Sequence, residues 1–282
     1  MKKLLFCALI GFVFVFSSCN KETEDLITTS CDTLKVTALP VNQSFTIRAN
    51  SSWNVVSSDE WCTLSDSLGT GSKSLEVSFS NNLTGLAREA HLVIQTASQT
   101  KTIIVKQDGG AVVIDEEFDN NYNNWVFQSD SITNDIRDGS FHIKSKAFLI
   151  SYFVGMKTLL TNYAGNYMIA SSFKFISGSP FGLAFACKDN KNYYRLLVYP
   201  SWGCVITQVS NGVAKNILSV ETSYAKSENA IKIVKLGDNG SLFLDGHQIG
   251  IFDFSKPSGV YVGFFSCPQT EVLVDNFKIN KL

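Results

Sequence analysis

Apolar and polar residues alternate with a period of two along most of the chain. In "SFTIRA", Phe45, Ile47 and Ala49 fall on one side; in "SLEVSF", Leu75, Val77 and Phe79 do the same. "EAHLVIQT" and "KTIIVKQ" carry the alternation to Gln107. Successive side chains of a strand point to opposite faces, so this pattern describes strands with one face in a core. Helical spacing is scarce, and Gly, Asn, Asp and Ser punctuate the runs as turns. The expected fold class is all-β, built from sandwiches of antiparallel sheets. One hairpin is legible in detail: Asp245-Gly246 in "LDGHQI" suits a two-residue type I′ turn.

The first block orders its landmarks as "FTIRANSSWNV", "EWCTLSDSLGTGSKSLEVSFSNN", "REAHLVIQT" and "KTIIVKQDG". Trp53, Trp61, the Gly69 to Gly71 turn, Asn81, Asn82, Arg88 and Gln107 resemble, in that order, the BACON domain of Bacteroidetes over Leu34 to Asp108. The resemblance implies an immunoglobulin-like β-sandwich. The family's name reflects a suggested carbohydrate-binding role, while in some members the module looks like a spacer. Trp53 and Trp61 read as core anchors rather than sugar platforms. "GTGSKS" is not a phosphate loop, because Ser72 separates the glycine from Lys73 and a strand-like run follows where a helix is required.

After "DGGAV", a second block opens with "VIDEEFDNNYNNW" and closes with "VLVDNFKI". Its opening Asp-x-Phe with a later Trp, the "DNKNYY" hairpin, the "DG" turn and the closing strand resemble concanavalin-A-like (LamG-like) jelly rolls. The expected order is a leader over 1–18, an acidic tether over 19–32, the BACON-like sandwich over 33–108, a short flexible joint over 109–112, and the jelly roll over 113–282. That fold hosts lectins, structural modules and glycosidases alike, so it does not choose among them.

The N-terminus bears on location. Lys2 and Lys3 precede an apolar run from Leu4 to Phe16, shorter than the ~20 residues a spanning helix needs. It ends in "FSSC", the layout of an export signal. The stretch resembles a bacterial lipobox, with Phe16 in place of the common leucine, and this implies diacylglycerol on Cys19. "NKETED" behind it resembles the signal that sends Bacteroidetes lipoproteins to the outer face of the outer membrane. A membrane partner is therefore expected through an N-terminal lipid anchor.

Composition excludes more than it assigns. The net charge is −1 and becomes more negative once Lys2 and Lys3 leave with the leader, so no basic excess is available to hold nucleic acid. Cys31, Cys62, Cys187, Cys204 and Cys267 form no C-x-x-C pair and have no His at zinc spacing. They read as buried free thiols, and no metal or cofactor is expected. Three tripeptides, at Thr33, Ser67 and Ser131, resemble the Asp-Ser/Thr-apolar acceptor of O-glycosylation in exported Bacteroidetes proteins.

Candidate chemistry points to binding. Jelly-roll glycosidases of the laminarinase type carry Glu-x-Asp-x-x-Glu on one strand, and the second block has no such motif. The acids Asp115, Glu116, Glu117 and Asp119 sit at the entrance of the block and read as an exposed, solvated strand. His91, His142 and His247 are scattered. Sugars ask for an exposed aromatic face with a few planar polar groups. In the hairpin of "PFGLAFAC" and "YYRLLVYP", the expected register sets Lys188 opposite Tyr193, Ala186 opposite Arg195, Ala184 opposite Leu197 and Gly182 opposite Tyr199. Leu183, Phe185, Cys187, Tyr194, Leu196 and Val198 then form a core face. The other face becomes a groove floored by Gly and Ala and walled by Tyr193, Arg195 and Tyr199, with Trp202 of "PSWG" as a rim platform. Its partner would be a polysaccharide or a glycoprotein glycan. The alternative for that face is a second packed surface with Arg195 paired to an acid. Alternatives for the whole chain are a glycoside hydrolase or lyase with an unrecognised site, and an adhesion or spacer protein without sugar specificity.

Overall fold

The alternating runs all become strands, and among the described residues there is no helix. The structure, a computed structural model, describes residues 24–146, 152–158, 165–178, 180–255 and 259–282. The leader and Cys19 lie outside these residues.

The first nine strands are β1 (Ile27–Thr29), β2 (Thr33–Val36), β3 (Gln43–Ala49), β4 (Ser52–Ser57), β5 (Cys62–Leu64), β6 (Leu68–Thr70), β7 (Lys73–Phe79), β8 (Arg88–Gln95) and β9 (Thr100–Gln107). One sheet runs β1-β3-β7-β5 and the other β2-β9-β8-β4-β6. β2 pairs with β9 in parallel. The inward set includes Phe45, Ile47, Leu75, Val77, Leu92 and Val105, all buried, as the period of two requires. β1 is a correction to the expected tether over 19–32, since Ile27 pairs with Ala49 and is itself in the core. A strand of three residues shows too little alternation to be seen.

The tryptophans of this sandwich are structural. Trp53 is buried, its Nε1 donates to the Gly71 carbonyl at 2.8 Å, and it covers Gly69, where a Cβ would come within 2.2 Å of the indole. Trp61 is half-buried with the Arg88 guanidinium 4.4 Å from its ring centroid. Arg88 Nε donates in turn to Gln107 Oε1 at 2.8 Å.

The joint departs from expectation. Asn82 Nδ2 donates to the carbonyls of Leu86 and Asp108, and Gly110 N donates to the Thr84 carbonyl at 2.7 Å. A Cβ on Gly109 would stand 2.6 Å from Leu86 backbone atoms, and one on Gly85 would stand 2.9 Å from both Val112 and Asn280 side chains. The glycines there allow close backbone approach, and the joint is hydrogen-bonded to the 82–86 loop.

The remaining strands are β10 (Ala111–Glu116), β11 (Ile132–Arg137), β12 (Ser140–Ser145), β13 (Tyr152–Thr158), β14 (Tyr167–Ser177), β15 (Phe181–Asp189) and β16 (Asn192–Tyr199). They are followed by β17 (Gly203–Ser210), β18 (Val213–Glu221), β19 (Glu228–Leu236), β20 (Asn239–Leu244), β21 (His247–Asp253), β22 (Tyr261–Ser266) and β23 (Glu271–Lys281). An eight-stranded sheet runs β11-β12-β23-β14-β19-β20-β21, with β10 also on β23. A six-stranded sheet runs β13-β22-β15-β16-β17-β18. Between them lies an aromatic core in which Trp125 meets Phe118 and Phe277, each at 5.3 Å between ring centroids. Leu244 pairs with His247, and Asp245 and Gly246 have φ of 47° and 82°, which is the left-handed pair of a type I′ turn. The architecture is all-β, an immunoglobulin-like sandwich followed by a jelly-roll sandwich of the concanavalin-A-like kind.

Candidate functional site

The centre of the six-stranded sheet is the β15–β16 hairpin. Asp189 pairs with Asn192, but beyond a bulge Phe185 pairs with Tyr194, Ala184 with Arg195 and Gly182 with Leu197. Two extra residues of β15 are taken up between Phe185 and Asp189, and Ala186 adopts φ of 47° to do so. The expected pairings of Ala186 with Arg195 and Gly182 with Tyr199 are therefore each two residues out. An even offset preserves the faces of β16, so Tyr194, Leu196 and Val198 enter the core while Tyr193, Arg195, Leu197 and Tyr199 face outward. Inside the bulge parity fails: Ala186 enters the core and Cys187 turns outward, the reverse of expectation.

The floor also differs. A Cβ on Gly182 would come within 2.0 Å of the Leu196 carbonyl oxygen, so this glycine lets two strands close rather than lining a groove. Ala184, Leu197, Phe265 and Cys267 form a buried apolar layer instead. Around and above it stand half-buried aromatics. Phe153 meets Tyr193 edge-on at 4.9 Å, and Tyr193 lies nearly parallel to Phe265 at 6.2 Å. The Arg195 guanidinium sits 5.1 Å from the Phe265 ring centroid. Tyr199 meets Trp202 edge-on at 5.3 Å, and Trp202 is 39% exposed. Its turn is held by Trp202 N donating to the Tyr199 carbonyl and Thr222 N donating to the Trp202 carbonyl. At ~3.3 Å per residue, Tyr193 and Tyr199 lie ~20 Å apart along the strand, with Arg195 between them.

At the hairpin end this face opens into a cavity of about 290 Å³ lined by Phe153, Cys187, Lys188, Asp189, Asn190 and Tyr261. Asp189 accepts from Lys191 N at 2.8 Å and from Asn192 Nδ2 at 2.9 Å. These bonds hold its carboxyl below the ordinary range and give it the work of fixing the turn. Burial pushes up the Tyr193 and Tyr199 phenols, with the nearby Arg195 charge opposing the shift, so both stay protonated donors at neutral pH. Burial raises the Cys187 thiol to about 12. The five cysteines among the described residues are free, and all but Cys31 are buried.

Arg195 is the unusual member. Its Nε is buried without a hydrogen-bond partner, and among the described residues no carboxylate forms an ion pair with it. The packed layer expected by the alternative reading is present, but the acid paired to Arg195 is not.

Of the entrance acids, Asp115, Glu117 and Asp119 are exposed as expected, and Glu116 is the one that is not. Glu116 is buried and accepts from Trp125 Nε1 at 2.7 Å, Phe118 N at 3.0 Å and Asn123 Nδ2 at 2.5 Å. Asp115 and Glu117 both pair with Lys278. Thr33 and Ser67 are exposed, and Ser131 is half-buried just before β11. These three are scattered over both sandwiches and build no common site.

Part of the first sandwich is similar to a known family. Residues 51–108 match the BACON family, described as "Putative binding domain, N-terminal". Among solved structures the chain is 22% identical to a Bacteroides ovatus GH5 xyloglucanase in complex with a XXXG heptasaccharide, over 30% of this chain and 19% of that one (TM-score 0.29). It is 18% identical to the carbohydrate binding module CBM66 from Bacillus subtilis, over 50% of this chain and 82% of that one (TM-score 0.37). It is 12% identical to a Bacillus subtilis protein of unknown function with a galectin-like fold, over 61% of this chain and 96% of that one (TM-score 0.47). No curated protein matches the chain.

Sequence reasoning missed Phe153, Phe265 and Tyr261 on this face. For Phe265 a signal existed: Phe264 and Phe265 are adjacent on β22, so one must face outward if the other is in the core.

Proposed function

We propose that this protein is a non-catalytic, carbohydrate-binding lipoprotein displayed at the cell surface, and that the outer face of the six-stranded sheet holds the glycan. The observation that carries this reading is the row Tyr193, Arg195, Tyr199 and Trp202, with an aromatic ring at either end of an unpaired fork of donors. Aromatic faces stack on the C–H faces of sugar rings, and a guanidinium and phenols supply donors to hydroxyls. The cavity beside Lys188 extends the row at one end. The BACON match, in a family described as a binding domain, is consistent with this reading. Lipid on Cys19 and the acidic stretch behind it would place the protein at the outer membrane facing outward. Single weak sites of this kind gain from dense display on a surface through avidity.

Binding of purified full-length protein to a broad glycan array is the test. A defined set of bound glycans, lost in a Tyr199→Ala and Trp202→Ala double variant that still melts cooperatively, supports the proposal. An array with no bound glycan overturns it and leaves the spacer alternative standing.

A further inference from the structure

Of the groups on the outer face, Arg195 asks for something a neutral sugar does not supply. Its charge is flanked by Tyr193 and Tyr199, lies over the Phe265 ring, and carries a buried Nε with no acceptor. Buried donors are nearly always satisfied in native proteins, and one left without an acceptor is costly. Elsewhere in the same domain some cations have acids, as Lys278 has Asp115 and Glu117, Lys144 has Glu271 and Lys174 has Glu228, while Lys157, Lys232 and Lys235 rest over aromatic rings instead. Arg195 differs from these lysines in its buried, unpaired Nε and in its place in the middle of a row of aromatics. A guanidinium presents parallel N–H donors that match a planar anion in a bidentate way, and it stacks on aromatic rings. At the neighbouring cavity Lys188 stands beside Asp189, which offsets its charge.

We infer that the glycan is acidic, and that Arg195 receives a carboxylate or sulfate group carried by the sugar. This rests on the proposed glycan site and deepens it. The aromatics on either side then hold the flanking sugar rings, and the anion pairs with the accessible terminal nitrogens of the guanidinium and supplies the missing counter-charge. Hydroxyls of a neutral glycan would offer the acceptor only.

The experiment uses purified full-length protein and matched polymers: polygalacturonate against its carboxyl-reduced form, and dextran sulfate against dextran. The array above supplies neutral and acidic glycans beyond these. The expected result is that one charged polymer binds at least ~10-fold more tightly than its neutral counterpart, the scale of a charge-assisted hydrogen bond. The preference should shrink as salt is raised. Preference for polygalacturonate assigns a carboxylate, and preference for dextran sulfate a sulfate. Arg195→Gln should abolish the preference, and Arg195→Lys should restore part of it without the fork. Melting temperature separates positioning of ligand from support of the fold, because removing an unpaired charge should leave the Arg195→Gln protein as stable as the parent. Glycans bound equally well with and without an acidic group overturn the inference while sustaining the glycan site. A preference that survives Arg195→Gln, or an Arg195→Gln protein that melts far below the parent, also overturns it. Binding to no glycan at all removes both readings.

Discussion

Trp125 and Glu116 face each other inside the second sandwich, the indole Nε1 donating to the carboxylate at 2.7 Å while Phe118 N and Asn123 Nδ2 complete its shell. A carboxylate at the entrance of the domain thereby ties the opening strand to the aromatic core. Beside it Lys157 lies 4.6 Å from the Trp125 ring and donates to the carbonyls of Asn123 and Asn124. Desolvation lowers its pKa, and the Glu116 charge opposes that shift. Glu116→Ala would leave the Trp125 and Phe118 donors buried and unpaired, each costing about 1–3 kcal/mol. Chemical denaturation should show a loss of that order, with Glu116→Gln intermediate because only one of its terminal atoms accepts. A Glu116→Ala protein as stable as the parent would refute this role.

The two faces of β16 should separate stability from binding. Leu196 is fully buried in the core, so Leu196→Ala should cost about 2–5 kcal/mol. Tyr199→Ala removes an outward ring that contacts Trp202. The lost aromatic contact, about 0.5–1.5 kcal/mol beyond area, should weaken glycan binding several-fold to tenfold. Thermal melts beside affinity measurements check both, and the reverse ranking would mean the faces are misassigned.

Acid stability should depend on Glu271. Its carboxyl accepts from Lys144 at 2.8 Å and lies 2.9 Å from His142 Nε2. The bond from Lys144, and next that from His142, holds its pKa below the ordinary value. A carboxyl with a depressed folded pKa stabilises above its unfolded value and loses that contribution as pH falls through the folded one. Below about pH 4.3, the free glutamate value, the parent should lose melting temperature more steeply than Glu271→Gln. Parallel curves for the two proteins would show that Glu271 does not contribute.

Lipidation at Cys19 is tested in cells. Metabolic labelling with a clickable fatty acid should mark the parent and not Cys19→Ala, and the variant should leave the membrane fraction. Undiminished label on the variant would rule out this anchor.

What the sequence determined by itself was local. The period of two marked most of the strands, because alternate side chains must separate core from solvent whatever the partner strand is. Asp245-Gly246 set its turn because few residues other than glycine, asparagine and aspartate accept a left-handed backbone cheaply. The same parity assigned Leu196 and Val198 inward and Tyr193, Arg195 and Tyr199 outward. Tertiary structure decided the rest. The bulge at Ala186 lies where Gly259 packs so tightly against Cys187 that a Cβ would come within 1.8 Å of its carbonyl carbon, a contact between segments some seventy residues apart that no local pattern records. Glu116 reads as a solvent acid until three donors from its own loop and the core close over it. The glycines at 109 and 110 read as freedom until the loop at 82–86 closes on them. In each case the residue type permits two environments, and contacts that form only when the chain folds choose between them.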